Sequence, residues 1–391
     1  MAETADEPRP GEGSYPRFSE GERRRRRAAL AGAMEDRGVE HLIVYGANRF
    51  GSAVAWLTGW PVTREALCVF TPGERDVLLV HFYNHVPNAA RLASAADVRW
   101  AGESTIETAA AELRGRGAVR GRVGVVGPLL HRDGVRLAAE LGEPVDLNRD
   151  YLRLRRVKSA EEIEWLRIGC RLTDRAVEAL GERLRPGLTE HQLGDICERA
   201  YVGEGGRTHI HYFGVTSMGE PEVSVPAQWP SARRVAAGDA VSCEISASYW
   251  DYTGQVLRTF AVEAEPSPRY EELHAVADAA FEAIAERLRP GTSAAELVAA
   301  SAVIEEHGYT IRDDLVHGFV GGYLPPVLGS ASRRLTAIPD LELEAGMTLV
   351  VQPNVITRDE TAGVQTGELL LVGERGPERL HAVERGMLRA G

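Results

Sequence analysis

His209 and His211 lie two residues apart at the start of an apolar segment that predicts a β-strand. Residues two apart on a strand point to the same face, so both imidazoles are expected to project together. This spacing suits a ligand pair for one metal ion, with Glu244 or His317 completing the site. It equally suits an ordinary pair of histidines on a half-exposed strand. We therefore take both as substrate-side candidates.

A second polar group follows at Tyr252, Gln255 and Arg258. Strand alternation places Tyr252 and Arg258 on one face and Gln255 on the other, unless a bulge intervenes. Arg258 is therefore expected to brace the structure rather than to touch substrate.

Other kinds of chemistry lack their sequence signatures. The chain has no Gly-x-Ser-x-Gly elbow and no Gly-Lys-Ser/Thr phosphate loop, so a serine hydrolase and a nucleotide site have no support. Its four cysteines are scattered singly, which predicts neither a disulfide framework nor a thiolate zinc site and fits a reducing cytoplasm.

Composition excludes two classes of partner. The formal net charge of −12 argues against nucleic acid, since phosphate binding needs clustered Lys and Arg. No apolar run approaches the roughly 20 residues that cross a bilayer. Residues 1–15 are rich in Glu, Pro and Gly and are expected to be a disordered tail. The expected protein is soluble and cytoplasmic.

Two domains are predicted after the tail. In residues 16–150, short apolar runs alternate with helical segments, which is typical of a small α/β domain. Residues 157–391 contain Arg-Leu-Arg-Pro-Gly twice, at 183–187 and 287–291, each copy after a helical stretch and before another helix. This repeat indicates duplicated halves with a pseudo-two-fold relation. Strands between the helices predict an α+β domain, with His317 in a polar loop.

On these features the chain resembles the creatinase, aminopeptidase P, prolidase and methionine aminopeptidase family, whose catalytic domain is the pita-bread fold. The resemblance implies an antiparallel sheet with two helix pairs, preceded by the smaller α/β domain. It covers nearly the whole sequence. The pieces that carry it are Val-Lys-Ser-Ala-Glu-Glu-Ile at 157–163, the paired Arg-Pro-Gly turns, Gly238-Asp239, Tyr252 with Arg258, His317-Gly318, Glu-Ala-Gly-Met at 344–347 and Gly363-Val364.

The resemblance also assigns positions to a site. Peptidases of the family resemble one another in holding two divalent metals with two aspartates, one histidine and two glutamates. Those positions here are Glu244, Gln255, His317, Gln352 and either Gly367 or Glu368. Neutral amides contribute no charge and bridge two metals poorly, so no metal and no other cofactor is expected. The family's Pro-His histidine is also missing, which makes peptidase activity doubtful.

The implied function is a creatinase-type, metal-independent hydrolase that cleaves a C–N bond of a small amino-acid-like or amidine-like substrate. His317 would move the proton, Glu244 and Glu368 would orient it or hold substrate, and Gln255 and Gln352 would supply hydrogen bonds. One alternative is a divergent Xaa-Pro aminopeptidase or prolidase with one or two metals such as Mn or Co. Others are a lyase and a silent ligand-binding member.

Two further residues enter as substrate-binding candidates. Tyr252 belongs to the matching pieces, and Arg64 follows Thr-Gly-Trp at 58–60, a segment that resembles one reaching the partner subunit's site in creatinase-like relatives. If Arg64 reaches across in this way, the working unit is a homodimer.

Overall fold

A computed structural model describes residues 15–48, 52–335 and 337–391. The chain divides into two compact units, one ending at Leu154 and the other beginning at Arg155. The predicted disordered tail lies outside the described residues, apart from Tyr15.

The first unit is built on a six-stranded mixed sheet of order β4-β3-β2-β1-β5-β6. Its first helix begins where expected, because the Ser19 side chain accepts a hydrogen bond from the Glu22 amide. Apolar residues of the sheet and of two later helices form its core. The helices are α1 (Glu20–Asp36), α2 (Ala53–Thr58), α3 (Val86–Leu92), α4 (Thr105–Gly115), α5 (His131–Leu141) and α6 (Asn148–Arg156). The strands are β1 (His41–Ala47), β2 (Glu65–Phe70), β3 (Val77–Val80), β4 (Asp97–Trp100), β5 (Val123–Val126) and β6 (Val145–Asp146).

The second unit carries a ten-stranded sheet with the order β13-β12-β14-β16-β10-β8-β7, to which β9, β17 and β18 attach. All its pairs are antiparallel except β10 with β18. The helices are α7 (Ala160–Arg183), α8 (Glu190–Tyr201), α9 (Pro268–Ala285), α10 (Ala294–Ala300) and α11 (Val303–Glu306). The strands are β7 (Arg207–Ser217), β8 (Asp239–Tyr249), β9 (Tyr252–Thr253), β10 (Val256–Val262), β11 (Thr310–Ile311), β12 (Val316–Phe319), β13 (Tyr323–Leu328), β14 (Thr348–Val351), β15 (Val355–Ile356), β16 (Gly367–Gly373), β17 (Gly376–Arg379) and β18 (Leu388–Ala390).

The repeated pentapeptide makes the same local structure twice. Gly187 and Gly291 have φ angles of 92° and 85°, a left-handed turn that glycine adopts without strain. Each turn leads into a helix with a reciprocal capping box, at Thr189 for α8 and at Ser293 for α10. The predicted pita-bread fold, with helices on one face of a curled antiparallel sheet, is confirmed.

One local prediction needs correction. His317 lies in strand β12 rather than in a loop, since β12 pairs with both β13 and β14.

Candidate active site

Strand register decides which side chains of the catalytic sheet share a face. Leu257 on β10 lies opposite Glu244 on β8 and opposite Gly367 on β16. The adjacent row joins Val256 with Glu368. Directly opposite residues point to the same face and successive residues alternate, so Glu244 and Glu368 point to opposite faces.

The same strand register places His317 on the face of the sheet that carries Glu244. His317 pairs with Val350, which pairs with Leu369, and Leu369 is two residues from Gly367. We call this side of the sheet, which carries Glu244 and His317, the site face. The other side packs on α7 to α10 through residues such as Val256 and Val351, and we call it the helix face.

Glu244 and Gln255 form a buried pair on the site face. The Gln255 Nε2 donates a hydrogen bond to Oε1 of Glu244, whose residue is 7% exposed. Burial raises the pKa of Glu244 to about 8, and the charges of Asp313 and Asp314 act in the same direction. The hydrogen bond from Gln255 acts in the opposite direction but is the weaker effect. Glu244 is therefore a protonated carboxylic acid at neutral pH.

His317 is buried, and its ring is held from both sides. Its Nδ1 lies 3.3 Å from the Gly318 carbonyl oxygen, to which it donates as a neutral imidazole. The ring stacks on Tyr323 with centroids 4.0 Å apart. Burial lowers the pKa of His317 to about 4. A neutral ring with Nδ1 protonated leaves Nε2 as a lone-pair acceptor.

Asp314 is the site residue that the sequence analysis missed. It accepts a hydrogen bond from Nε2 of Gln352 at 2.6 Å, and its Oδ1 lies 3.9 Å from Nε2 of His317. Burial and the neighbouring Asp313 raise its pKa to about 7, while a hydrogen bond with Tyr323 opposes the rise. The available signal was the adjacent acidic pair three residues before His317. Asp314 lies outside β12, and its contacts with Gln352 and His317 place it at the site.

Glu368 does not join this cluster, contrary to its predicted role. On the helix face it accepts hydrogen bonds from Nη2 of Arg258 at 2.8 Å and from Nη2 of Arg379 at 3.0 Å. Burial alone would raise its pKa, but the two guanidinium groups hold it below the ordinary value. Arg258 also donates to backbone carbonyl oxygens, in agreement with the bracing role expected for it.

The two strand histidines also diverge. The β7 to β8 register shifts between Thr208 and Ile210, so His209 is an extra residue at a bulge. His211 then points to the helix face, where its Nε2 lies 2.8 Å from the Tyr201 hydroxyl. His209 makes an edge contact with Phe319, the ring that also contacts His317. The expectation that both imidazoles project together is wrong, because the bulge reverses the alternation.

Tyr252 and Arg64 occupy other positions. The Tyr252 hydroxyl donates to Oε1 of Glu162 at 2.8 Å, and its ring packs on Trp165. Its contacts thus run to the start of α7. Arg64 is exposed in the first unit, and its role across a subunit boundary stays a prediction.

The sequence profile of metallopeptidase family M24 matches residues 164–374, more than half of the chain. The chain belongs to family M24. The matched region contains Glu244, Gln255, His317 and Gln352.

Among M24 relatives, Xaa-Pro dipeptidases of Pyrococcus furiosus and Pyrococcus horikoshii are 26% and 25% identical over 236 and 248 residues. These alignments cover 60% and 61% of this chain and 66%, just under two thirds, of each relative. Solved structures give the fold. The dipeptidase PepE of Mycobacterium ulcerans has a TM-score of 0.78 at 24% identity, covering 96% of this chain and 99% of its own. A prolidase of Thermococcus sibiricus has a TM-score of 0.80 at 18% identity, with 95% and 100% covered.

The M24 match corrects one expectation. The prediction that the protein has no cofactor is wrong, because the family that it belongs to is one of metallopeptidases and its relatives are Xaa-Pro dipeptidases.

The described side chains nevertheless do not fit the two-metal set that the resemblance implies. Gln255 and Gln352 are amides whose nitrogens donate to carboxylates, and Glu368 lies on the helix face. A Cβ at Gly367 would lie 2.4 Å from the Val351 oxygen, so no side chain fits there. Among the described residues, no three His, Cys, Asp or Glu side chains are grouped to hold a metal ion. We derive no reaction step through a metal.

Proposed function

We propose that this M24 chain is a hydrolase that cleaves a C–N bond in a small amino-acid-like or amidine-like substrate on the site face. The observation that carries the proposal is the His317 ring, which is fully buried, stacks on Tyr323 and lies with Nε2 3.9 Å from Oδ1 of the buried acid Asp314. A titratable ring buried beside an acid of perturbed pKa is typical of a functional position.

The two titratable groups of the site suit opposite roles. With its pKa lowered to about 4, His317 is neutral at pH 7 and accepts a proton from an attacking water molecule. With its pKa raised to about 8, Glu244 still holds a proton, which it donates to the leaving nitrogen. The imidazolium then returns its proton to the Glu244 carboxylate. Water adds across the C–N bond, and both side chains regain their starting states.

This scheme alters the roles expected from the sequence. His317 was expected to deliver the proton to the leaving nitrogen, whereas its lowered pKa favours accepting one. Gln255 orients the Glu244 carboxyl through its hydrogen bond, and Gln352 holds Asp314. Glu368 has no part in the scheme, because its contacts lie on the helix face.

A second candidate is an Xaa-Pro dipeptidase, which the names of the relatives favour. It cleaves the same kind of bond, so the substrate distinguishes the two. Assembly as a homodimer in the cytoplasm is proposed with either activity. Within the described residues, no helix combines the length and apolar character that a membrane crossing requires.

The test is a substrate panel with the purified chain, assayed with and without added Mn²⁺ or Co²⁺. Guanidino acids, amidino acids and Xaa-Pro dipeptides are incubated separately, and new amines or amino acids are detected by mass spectrometry. We expect turnover of at least one class and a loss of about 10² to 10⁴-fold in kcat for His317→Ala, the range for removal of an acid–base group. The matched control is His191→Ala, at an exposed histidine of α8, which should keep full activity.

Two outcomes count against the proposal. Equal turnover by His317→Ala and the parent chain would remove His317 from the mechanism. A protein that turns over no member of the panel under any metal condition would not be this hydrolase.

A further inference from the structure

Three carboxyl groups crowd together at the site. Asp313 and Asp314 both raise the pKa of Glu244, and Asp313 raises that of Asp314. Among the described residues, no Arg or Lys forms an ion pair with any of the three, and the one ion-pair contact is that of Asp314 with His317. The adjacent Arg312 pairs instead with Glu360, at 2.6 Å. The cluster thus lacks a positive partner of its own.

Buried polar atoms with few partners lie on residues that contact the site carboxyl groups. Within the described residues, Oε1 of Gln255 accepts no hydrogen bond, and Oε1 of Gln352 and Nε2 of His317 have no partner except the contact between these two side chains. Each amide nitrogen donates to a carboxyl oxygen, of Glu244 for Gln255 and of Asp314 for Gln352. All three residues are at most 1% exposed. Buried acceptors in this number call for a ligand that brings several N–H donors.

Tyr323 lies between the buried acidic cluster and solvent. Its side chain is 51% exposed, whereas Asp314 is 3% exposed and His317 is fully buried. The Tyr323 hydroxyl hydrogen-bonds to Asp314, and its ring lies flat on the His317 ring at 4.0 Å. A ligand that reaches Asp314 therefore passes an aromatic ring, and aromatic faces attract cations.

We propose that Asp314, with Tyr323 beside it, is the specificity-determining anchor for a positively charged nitrogen group of the substrate, an ammonium, guanidinium or amidinium. The inference rests on the proposed function only in that it calls the bound cation a substrate. Binding of the cation requires no turnover. Gln255, just before β10, and Gln352, just after β14, are neutral amides, whereas the acidic pair Asp313 and Asp314 precedes β12. Recognition of a cation then comes from a carboxylate that also holds Gln352 and Tyr323 in place.

The experiment compares two probes of equal shape, phenylguanidinium and the neutral phenylurea, by isothermal titration calorimetry on the full chain. We expect phenylguanidinium to bind at least tenfold more tightly than phenylurea. Asp314→Asn keeps the shape of the side chain and removes its charge, and should abolish that preference. Asp340→Asn, at an exposed aspartate, removes the same charge elsewhere and should leave both affinities unchanged. Circular dichroism verifies folding of each variant.

Equal affinity of the parent chain for the two probes overturns the inference without any variant. A preference that survives Asp314→Asn also overturns it. If that variant does not fold, Tyr323→Ala replaces it, since a half-exposed side chain tolerates truncation. It should weaken phenylguanidinium binding at least fivefold, and unchanged affinity would exclude the anchor. Selective binding with no turnover contradicts only the proposed function, and turnover without selectivity contradicts only the anchor.

Discussion

Each face of the catalytic sheet carries a buried acidic side chain, but the charged groups near the two acids have opposite signs. On the helix face, Glu368 meets two arginines and its pKa falls below the ordinary value. On the site face, Glu244 meets an amide and two aspartates, and its pKa rises to about 8. The chain therefore satisfies one buried acid and leaves the other unsatisfied, within a single sheet.

This difference separates structural from functional charge. A paired buried charge contributes to a fixed packing arrangement, whereas a perturbed acid without a cation is typical of a binding or catalytic position. Asp174 strengthens the contrast, since it faces the helix side and contacts Nδ1 of His381 at 2.6 Å. Substitutions on the two faces should therefore differ in what they damage.

The largest expected effect on stability is that of Glu368→Leu. The change leaves the Arg258 guanidinium fully buried without its carboxylate. Removing one partner of a buried ion pair costs about 3–5 kcal/mol in the free energy of unfolding. Urea denaturation measures the loss. Glu265→Leu, which removes an exposed partner of Arg389, is the control and should cost at most about 1 kcal/mol. A loss below about 1 kcal/mol for Glu368→Leu would mean that the helix-face network is not structural.

A smaller effect on stability is expected when the pH is raised, because His381 loses its proton. Burial by itself lowers the pKa of His381, but the nearby Cys170 and the Asp174 carboxylate raise it to about 10. A folded pKa above the unfolded value of about 6.5 gives stability that is complete below pH 6.5 and is lost as the pH rises toward 10. The parent chain should lose about 2–3 kcal/mol between pH 7 and 9 from this group, within the limit of about 1.4 kcal/mol per pH unit for one proton.

His381→Gln isolates that contribution. Other titrating groups are common to both proteins, so the stability difference between parent and variant should shrink as the pH rises from 7 to 9. A difference that stays constant over this range would show that His381 is not charged in the folded protein.

The sequence could predict the parts of this contrast that depend on local rules. The repeated pentapeptide located the turns before α8 and α10, and alternation separated Gln255 from Arg258. It could not place Glu368, because a shift of one residue in the β10 to β16 register reverses the face of every side chain. Nor could it locate the bulge at His209, which depends on pairing with β8.

Asp314 illustrates the same limit from the other direction. Two adjacent acids in a polar stretch are usually a solvated turn, and only the pairing of β12 with β14 brings Asp314 to Gln352. The residues at the family's site positions could be named from the sequence. Asp314 could not be named from the sequence, because Gln352, which it contacts, is distant along the chain.

The smallest expected effect comes from Glu244→Gln on the site face, and its sign is opposite to that of Glu368→Leu. At pH 7 this acid is ionised in the unfolded chain and must take up a proton on folding, because its pKa in the folded chain is raised to about 8. An amide avoids that cost, and Gln255 keeps a hydrogen-bonding partner. We expect the free energy of unfolding to rise by about 1 kcal/mol, within the range that substitution of strained functional positions gives. Urea denaturation of Glu244→Gln and Glu368→Leu in parallel measures both changes in the free energy of unfolding. A loss above about 2 kcal/mol for Glu244→Gln would show that this carboxyl is part of the packing, and the contrast between the faces would no longer distinguish function from structure.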